Sequence, residues 1–187
     1  MADTTPEAAS DDAAAEAEAE APEGPPEPET RYDTLVTQSR GQAVLHPTRE
    51  KLAQLVRDLR DDEGFLVCVD LTAVDYLSYS SARDLPEGIE AERFEVVVGL
   101  LSHAKRERLR LRVQVPASDP TCPSLFDVHP GVEALEREVY DMFGISFEGH
   151  PDLTRILMPE DWEGHPLRKD YPVGAIPVQF KGVTNAR

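Results

Sequence analysis

The sequence has few cysteines and no arrangement of them that is typical of a metal site. Cys68 and Cys122 are its two cysteines, and they stand far apart with no C-x-x-C spacing. Iron–sulfur clusters and structural zinc ions are held by closely spaced thiolates, or by cysteines together with histidines. We therefore expect no such centre in this chain, and two isolated cysteines are typical of a reduced, cytoplasmic protein.

Long apolar runs and nucleotide-binding motifs are also missing. No stretch of about 18 apolar residues occurs, and no basic segment followed by an apolar one opens the chain. On this pattern we expect a chain that is neither secreted nor membrane-spanning. Neither G-x-G-x-x-G after a predicted strand nor the phosphate-cradling G-x-x-x-x-G-K-[ST] is present. The sequence therefore predicts no dinucleotide site and no nucleotide-phosphate site.

Positive charge is absent from residues 1–30, which hold ten Asp or Glu and no Lys or Arg. The formal net charge is −17, and in the remainder of the chain 26 acidic residues face 19 basic ones. Nucleic-acid binding depends on Lys and Arg that neutralise phosphates, so an excess of acid argues against a nucleic-acid partner.

The same segment 1–30 alternates Ala with Glu and then becomes rich in proline. It has too little apolar area to offset the entropy of ordering the backbone, so we predict a disordered acidic tail. A docking arm for a basic partner is the alternative interpretation of such a block of like charge.

The pattern from residue 31 to residue 144 predicts one α+β domain. Apolar residues recur at helical spacing after Pro47 and predict an amphipathic helix that stops near Gly64. Residues 65–74 form a β-branched and aromatic run that is typical of a buried strand. The residues on the apolar face of the helix are Leu52, Leu55, Val56 and Leu59.

Residues 93–103 and 108–115 predict two strands of a hairpin, because a short polar link separates them. In the second strand apolar residues alternate strictly with polar ones, which gives one buried face and one basic face. The basic face is interpreted either as a solvated surface balanced by nearby acids, or as a patch for an acidic partner or a phosphate. Its arginines are Arg108, Arg110 and Arg112, and the nearby acids are Glu92 and Glu95.

A second helix is predicted to end at Gly144. Its apolar face comprises Val132, Leu135, Val139, Met142 and Phe143. We expect the acidic and basic residues on the rest of its surface to face solvent. The predicted fold is thus α+β: a helix, a mixed or antiparallel sheet of three or more strands, a second helix and a long extended C-terminal tail.

Residues 145–187 contain prolines so often that no helix can run there. They also hold many large apolar side chains, including Trp162, which are too many to leave in water. We predict an extended, irregular segment that docks on a neighbouring protein of an assembly, because so long an ordered tail is unusual for a compact domain. Trp162 would either cover its own core or anchor in a pocket of the partner.

Three chemical interpretations of this segment stand beside one another. His150 and His165, each in Gly-His-Pro, could supply ligands to a metal hydrolase, or each could be a structural turn. Carboxylates of the second helix could act as an acid–base pair. We favour an ion-pair network, partly internal and partly across an interface with the partner. Its members would be Arg137, Arg155, Arg168 and Lys169 with Glu136, Glu138, Asp141, Asp152 and Asp170.

Three stretches resemble one known family. They are E-R-E-x-x-D-M-F-G-I-x-F-x-G-H-P-D-L at 136–153, R-I-L-M at 155–158 and D-W-E-G-H-P-L-R-K-D-Y-P at 161–172. Together with D-L-T-A-V-D-Y at 70–76 and R-F-E-V-V-V-G-L-L-S at 93–102, they resemble the C subunit, also called the 30 kDa subunit family, of bacterial NADH:quinone oxidoreductase, respiratory complex I. Thr154 replaces an arginine usual in the family, and residues 132–135 lack a usual tryptophan.

The resemblance implies a structural subunit of the peripheral arm with no catalytic, cofactor-binding or metal-binding residues of its own. FMN, iron–sulfur clusters, NADH and a quinone would belong to other subunits, the D subunit would be the chief partner, and the complex would hold the chain at the cytoplasmic face of the cell membrane. The equivalent subunit of a related membrane-bound hydrogenase or dehydrogenase is the alternative. The residues that carry the resemblance, and that are candidates for the partner interface, are Glu136, Arg137, Glu138, Asp141, Phe143, Gly144, Phe147, Gly149, His150, Pro151, Asp152, Arg155, Trp162, Gly164, His165, Pro166, Arg168, Lys169, Asp170, Tyr171 and Pro172.

Overall fold

A computed structural model describes residues 29–172 and Gly174. The predicted acidic tail therefore lies almost wholly outside the described residues. Within these described residues, eight strands and two helices follow one another. They are β1 Thr30–Arg31, β2 Thr34–Ser39, β3 Gln42–His46, α1 Arg49–Asp61, β4 Val67–Asp75, β5 Phe94–Ser102, β6 Glu107–Val115, β7 Thr121–Pro123, α2 Glu133–Phe143 and β8 Ser146–Glu148, with a 3-10 turn at Pro130–Val132 before α2.

Six strands form one mixed sheet in the order β1-β2-β3-β6-β5-β4. Neighbouring strands are antiparallel except β3 and β6, which run parallel. The predicted hairpin is present, with Phe94 opposite Val115 and Ser102 opposite Glu107. The α+β class and the mixed sheet are confirmed.

The strands β1, β2 and β3 were not predicted. Strands β2 and β3 are joined at Arg40 and Gly41, which both have positive φ, 52° and 75°. Two consecutive residues of positive φ suit the right-handed twist of a two-residue hairpin. Such turns usually carry Asn-Gly or Asp-Gly, so Arg-Gly is a weak signal in the sequence.

Both helices and the inward side of the sheet share one core. The four apolar residues of α1 are at most 4 % exposed, which confirms the predicted helix face. On β6 the alternation is confirmed as well, because Leu109, Leu111, Val113 and Val115 are buried while the arginines between them point outward.

On the outer face of the sheet, one of the three arginines is balanced by a nearby acid, as the solvated-surface interpretation expects, but the pair is not solvated. Arg112 pairs with Glu95 through Nε to Oε1 at 2.8 Å and Nη2 to Oε2 at 3.0 Å. Glu95 is nevertheless buried, since Arg83 and Gln114 also donate to it at 2.5 and 2.6 Å. Arg108 and Arg110 have no such acidic partner among the described residues.

Regular structure does not stop at Gly144, which corrects one prediction. Strand β8 pairs in parallel with β7, and Cys122 lies opposite Phe147. Ile145 and Phe147 are buried, because this pairing carries their side chains into the common core. The irregular part of the described chain begins after Glu148.

Candidate functional site: the clasp at the end of helix α2

Residues 149–172, which we call the clasp, pass over the C-terminal end of α2. The last carbonyls of a helix have no partner within the helix and need donors from elsewhere. Leu167 N–H donates to the carbonyl of Met142 at 3.0 Å, and Arg168 Nε donates to that of Phe143 at 2.5 Å. The imidazole Nδ1 of His165 lies 3.0 Å from the carbonyl oxygen of Asp141. The clasp therefore completes the backbone hydrogen bonding of α2.

The side chain of Asp141 holds the middle of the clasp. Its Oδ2 accepts three consecutive backbone N–H groups, at 3.1, 2.8 and 2.8 Å, from Ile156, Leu157 and Met158. Its Oδ1 accepts from Arg155 Nη1 at 2.6 Å, and the side chain has no exposed surface. Burial alone would raise the pKa of Asp141, but these N–H groups and the guanidinium lower it below its ordinary value. The prediction that Asp141 faces solvent is wrong.

Two arginines tie further parts of the clasp together. Arg155 also donates to the carbonyl of Gly164 at 3.1 Å, so it joins the two halves of the clasp. Arg137 on α2 donates to the carbonyl and hydroxyl of Thr154, at 3.1 and 2.9 Å, and to the carbonyl of Arg155 at 3.1 Å. Thr154 thus supplies two acceptors to Arg137.

The far end of the clasp is fixed to the sheet. Asp75, at the end of β4, accepts the backbone N–H of Lys169 at 2.9 Å and is paired with Arg93, whose Nη2 lies 2.9 Å away. Arg93 also donates to Asp170 at 2.8 Å. Burial would raise the pKa of Asp75, but Arg93 and two backbone N–H groups lower it. Two buried aspartates therefore hold the clasp at two places.

Two glycines allow the clasp to pack closely. Gly144 ends α2 with φ +71°, and a Cβ there would lie 2.5 Å from His165 Nε2 and 2.7 Å from Arg168 Nη2. Gly164 has φ +83°, and a Cβ there would meet the ring of Tyr171 at 2.7 Å. Both positions combine a left-handed backbone with contact distances that leave no room for a side chain.

The two histidines serve as structural turns and do not come together. Asp152 N–H donates to Nδ1 of His150 at 3.0 Å, which leaves its Nε2–H to donate to the carbonyl of Glu133 at 3.1 Å. His165 contacts the carbonyl of Asp141, eight positions further along α2 and about 12 Å away along the helix axis. Among residues 29–172 and Gly174, no group of three or more His, Cys, Asp or Glu is placed to hold a metal ion.

Glu136 is buried without a positive partner among the described residues. Its carboxylate accepts from the hydroxyl of Ser124 at 2.6 Å and from the N–H of Leu125 at 2.7 Å. Burial raises its pKa, in spite of these two hydrogen bonds. The prediction of a solvent-facing side chain is wrong here too, because the carboxylate holds the turn that precedes α2.

The predicted ion-pair network forms only in part. The members were predicted without assigned partners, and among them Arg155 and Asp141 pair with each other. Arg168 contacts backbone carbonyls instead, and Asp170 pairs with Arg93. Glu138 makes no ion pair within the described part of the chain. Asp75 and Arg93 were not predicted, since 94 positions separate Asp75 from Lys169 and no local pattern signals such a contact.

The candidate interface residues divide into buried and exposed groups. Glu136, Asp141, Phe143 and Phe147 are buried within this chain. Glu138, Gly149, Pro151, Asp152, Gly164, Lys169, Asp170 and Pro172 are exposed, and the others are half-buried. Trp162 is half-buried, and its Nε1 is enclosed without a partner among the described residues.

Apolar side chains of the clasp point outward. Leu157 is 60 %, Leu167 47 % and Ile156 41 % exposed. Each belongs to a stretch whose backbone is held by Asp141 or by the end of α2. The clasp therefore presents ordered apolar groups to the outside.

Neither helix in the described residues is long and apolar enough to cross a bilayer.

The fold and the clasp together define the class of this protein. It is an α+β domain in which charged side chains of the clasp bind backbone groups of the same chain, while apolar side chains of the clasp are exposed. The chain belongs to the family described as "Respiratory-chain NADH dehydrogenase, 30 Kd subunit", whose model matches residues 45–176. The family resemblance noted in the sequence is confirmed.

Curated relatives are named as the C subunit of NADH-quinone oxidoreductase. The chain is 46 % identical over 149 residues to that of Salinispora arenicola, covering 79 % of this chain and 57 % of the relative. It is 47 % identical over 147 residues to that of Acidothermus cellulolyticus, covering 78 % and 71 %. The chain thus spans little more than half the length of the Salinispora relative.

Two solved structures share the fold. A trypsin-resistant fragment of Nqo5 is 35 % identical, with a TM-score of 0.56, and the match covers 64 % of this chain and 89 % of that one. A chain of an archaeal membrane-bound sulfane sulfur reductase is 22 % identical, with a TM-score of 0.61, and covers 82 % and 90 %. The second likeness concerns the fold alone.

Proposed function

We propose that this chain is a non-catalytic, structural subunit of the peripheral arm of NADH:quinone oxidoreductase. The observation that carries the proposal is the clasp of a member of the 30 kDa subunit family. Its charged residues bind backbone groups of the same chain, and its apolar side chains face outward. Such an arrangement suits a surface that meets another protein.

The clasp is proposed to dock on a neighbouring protein of the complex, chiefly the D subunit. Exposed apolar groups on an ordered backbone lose little entropy when a partner covers them. Leu157, Leu167 and Ile156 would supply the apolar centre of the interface, and the exposed charges around them its polar rim. Trp162 would take part through its half-buried ring.

Electrons are proposed to pass through FMN and iron–sulfur clusters in other subunits, from NADH to a quinone. The state of the two thiols supports this division of labour. Burial raises the pKa of Cys68 to about 11 and that of Cys122 to about 12. Both thiols are poorly reactive in these surroundings, and two separate cysteines fall short of the four thiolates that hold a typical cluster. The complex would hold the chain peripherally at the cytoplasmic face of the membrane.

Affinity capture of the tagged chain from membranes tests the proposal. We expect capture of a large complex that oxidises NADH and reduces a quinone. Leu157→Asp should lower the captured amount of that complex. Leu66→Asp is the matched control, because Leu66 is 69 % exposed but lies outside the clasp.

Recovery of the tagged chain as a free monomer would overturn the assembly role. Capture of a complex that oxidises another donor would favour the related hydrogenase or dehydrogenase instead. Normal capture with slower electron transfer in the Leu157→Asp variant would contradict a purely structural clasp.

A further inference from the structure

One end of the sheet carries a cluster of basic side chains, which we call the basic end: Arg40, His103, Arg106, Arg108 and Arg110. Arg40 lies in the turn between β2 and β3, and His103 and Arg106 lie in the turn between β5 and β6. Because β3 and β6 run parallel, with Ala43 opposite Leu109, these two turns lie at the same end of the sheet.

The four arginines of the basic end form no ion pair with the described residues. The ion pairs found within residues 29–172 include none of the four. Glu107, which stands between Arg106 and Arg108 in the sequence, lies 3.8 Å from Arg31. Asp70 lines a shallow depression with Arg108 and Arg110, one strand across the sheet at Gly99, but forms no ion pair with them. Four arginines without an ion pair at one end of the sheet favour an anionic occupant.

A cleft lies between the two turns. Its volume is about 630 Å³, and its walls include Gln42, His103, Arg106 and Arg108 together with one acid, Glu107. It is open, so an extended chain can lie along it. The basic end thus combines an excess of positive charge with a concave surface.

The N-terminal strand leads toward this cleft. In β1, Thr30 lies opposite Leu35, and the carbonyl of Glu29 accepts the N–H of Val36 at 2.9 Å. Since β1 is antiparallel to β2, the chain followed backward from Arg31 runs beside β2 in the direction of Arg40. The distance from Val36 to Arg40 is four residues of strand, about 13 Å.

We propose that the acidic segment 1–28 of the same chain covers the basic end. This segment has nine Asp or Glu and no Lys or Arg. When fully extended it reaches up to about 90 Å, so length does not limit the contact. Attachment through β1 keeps its local concentration high, and several carboxylates can share the four guanidinium groups. The segment therefore shields the basic end from other anions.

Paramagnetic NMR on the full-length chain tests this. A nitroxide is attached at Ser10→Cys in a Cys68→Ser background, where the remaining native thiol, Cys122, is buried. We expect broadening of backbone amides at 40–42 and 103–108. Broadening should weaken at least roughly twofold between 0.1 M and 1 M salt, because the Debye length falls from about 10 Å to about 3 Å.

Arg108→Glu should weaken the broadening to a similar extent. Arg57→Glu is the matched control, since Arg57 is exposed on α1 and its reversal should leave the broadening unchanged. No broadening at the basic end, or broadening that Arg108→Glu does not alter, would overturn the proposal. Sedimentation of the unlabelled full chain with phosphatidylglycerol vesicles through Arg108 would also overturn it, and would favour a lipid surface as the occupant.

Discussion

At the scale of single residues, two buried carboxylates on α2 differ in what surrounds them. Asp141 accepts four hydrogen bonds, one of them from a guanidinium, and its pKa is lowered. Glu136 accepts two hydrogen bonds from neutral donors, and its pKa is raised by burial. The charge of Asp141 therefore stabilises the fold, whereas the charge of Glu136 opposes it.

We expect Asp141→Asn to lower the free energy of unfolding by about 3 kcal/mol, because it removes a buried charge and leaves Arg155 unpaired. Glu136→Gln keeps the size of the side chain and removes no partner charge. Its cost should be about 1 kcal/mol or less. Urea denaturation at pH 7 measures both. Equal losses in the two variants would contradict the difference in surroundings.

The same carboxylate predicts a dependence on pH. A lowered pKa in the folded state means that Asp141 contributes stability above the unfolded value of 3.8, and that this contribution is lost as pH falls below it through the folded value. Asp75 acts in the same direction. The unfolding free energy of Asp141→Asn should fall less steeply in that range. A slope equal to that of the unchanged chain would refute this role.

A side chain at position 144 should clash with the clasp, and a second glycine with a similar backbone but no close neighbours serves as the control. Gly144→Ala places a Cβ against His165 and Arg168, in addition to the cost of a positive φ. Gly149→Ala has a similar φ, +87°, and nothing within 4 Å. We expect Gly149→Ala to cost about 1–2 kcal/mol and Gly144→Ala clearly more. Thermal unfolding of both variants checks the order, and equal losses would show that the clasp moves aside for the added methyl group at little cost.

At the scale of elements, the clasp and α2 stabilise each other. Arg168 supplies a charged donor to the terminal carbonyl of Phe143, and Leu167 supplies a backbone donor to that of Met142. Lys169, its neighbour, contacts Asp75 through its backbone N–H and leaves its side chain exposed. Adjacent positions of equal charge thus have different roles.

We expect Arg168→Gln to lower the hydrogen-exchange protection of the Leu167 amide roughly tenfold, which corresponds to about 1.4 kcal/mol. The loss of the guanidinium frees the end of the helix, and the clasp opens more often. Lys169→Gln removes the same charge and should leave that protection unchanged. If both substitutions lowered the protection of the Leu167 amide equally, the loss of net charge and not the hydrogen bond of Arg168 would explain the change.

The spacing of apolar residues correctly predicted the elements that have one buried and one exposed face. The apolar faces of α1 and α2 and the alternation of β6 follow from the sequence, since their spacing reports burial directly. It did not reveal β2 and β3, whose Arg-Gly turn lacks the usual residues. It also predicted that Glu136 and Asp141 face solvent, although both are buried. A buried carboxylate depends on donors from distant parts of the chain, which the spacing does not reveal. The family resemblance marked these positions without giving their contacts.

At the scale of the whole molecule, the clasp ties the C-terminal segment to the domain. It is bound to α2 through Asp141 and to the sheet through Asp75. The two regions that the sequence divides at residue 144 therefore share hydrogen bonds and buried charge. A structure connected in this way is expected to unfold as one cooperative unit.

The single tryptophan allows this to be measured, because Trp162 lies in the clasp. Its fluorescence and the far-UV circular dichroism of the helices and sheet should give the same urea midpoint. In Arg168→Gln the fluorescence transition should move to lower urea, ahead of the circular dichroism. Separate midpoints in the unchanged chain would show that the clasp unfolds independently.

The parallel pairing of β3 with β6 also sets an order of events during synthesis. Ala43 pairs with Leu109, which is 66 positions further along the chain. At about 5–20 residues per second, the ribosome delivers that partner roughly 3–13 s later. The hairpin of β2 and β3 emerges early, but its place in the sheet exists only after β5 and β6 have joined. The nascent chain therefore carries an unmatched strand edge for seconds, a period in which chaperones that bind nascent chains would have their greatest effect on yield.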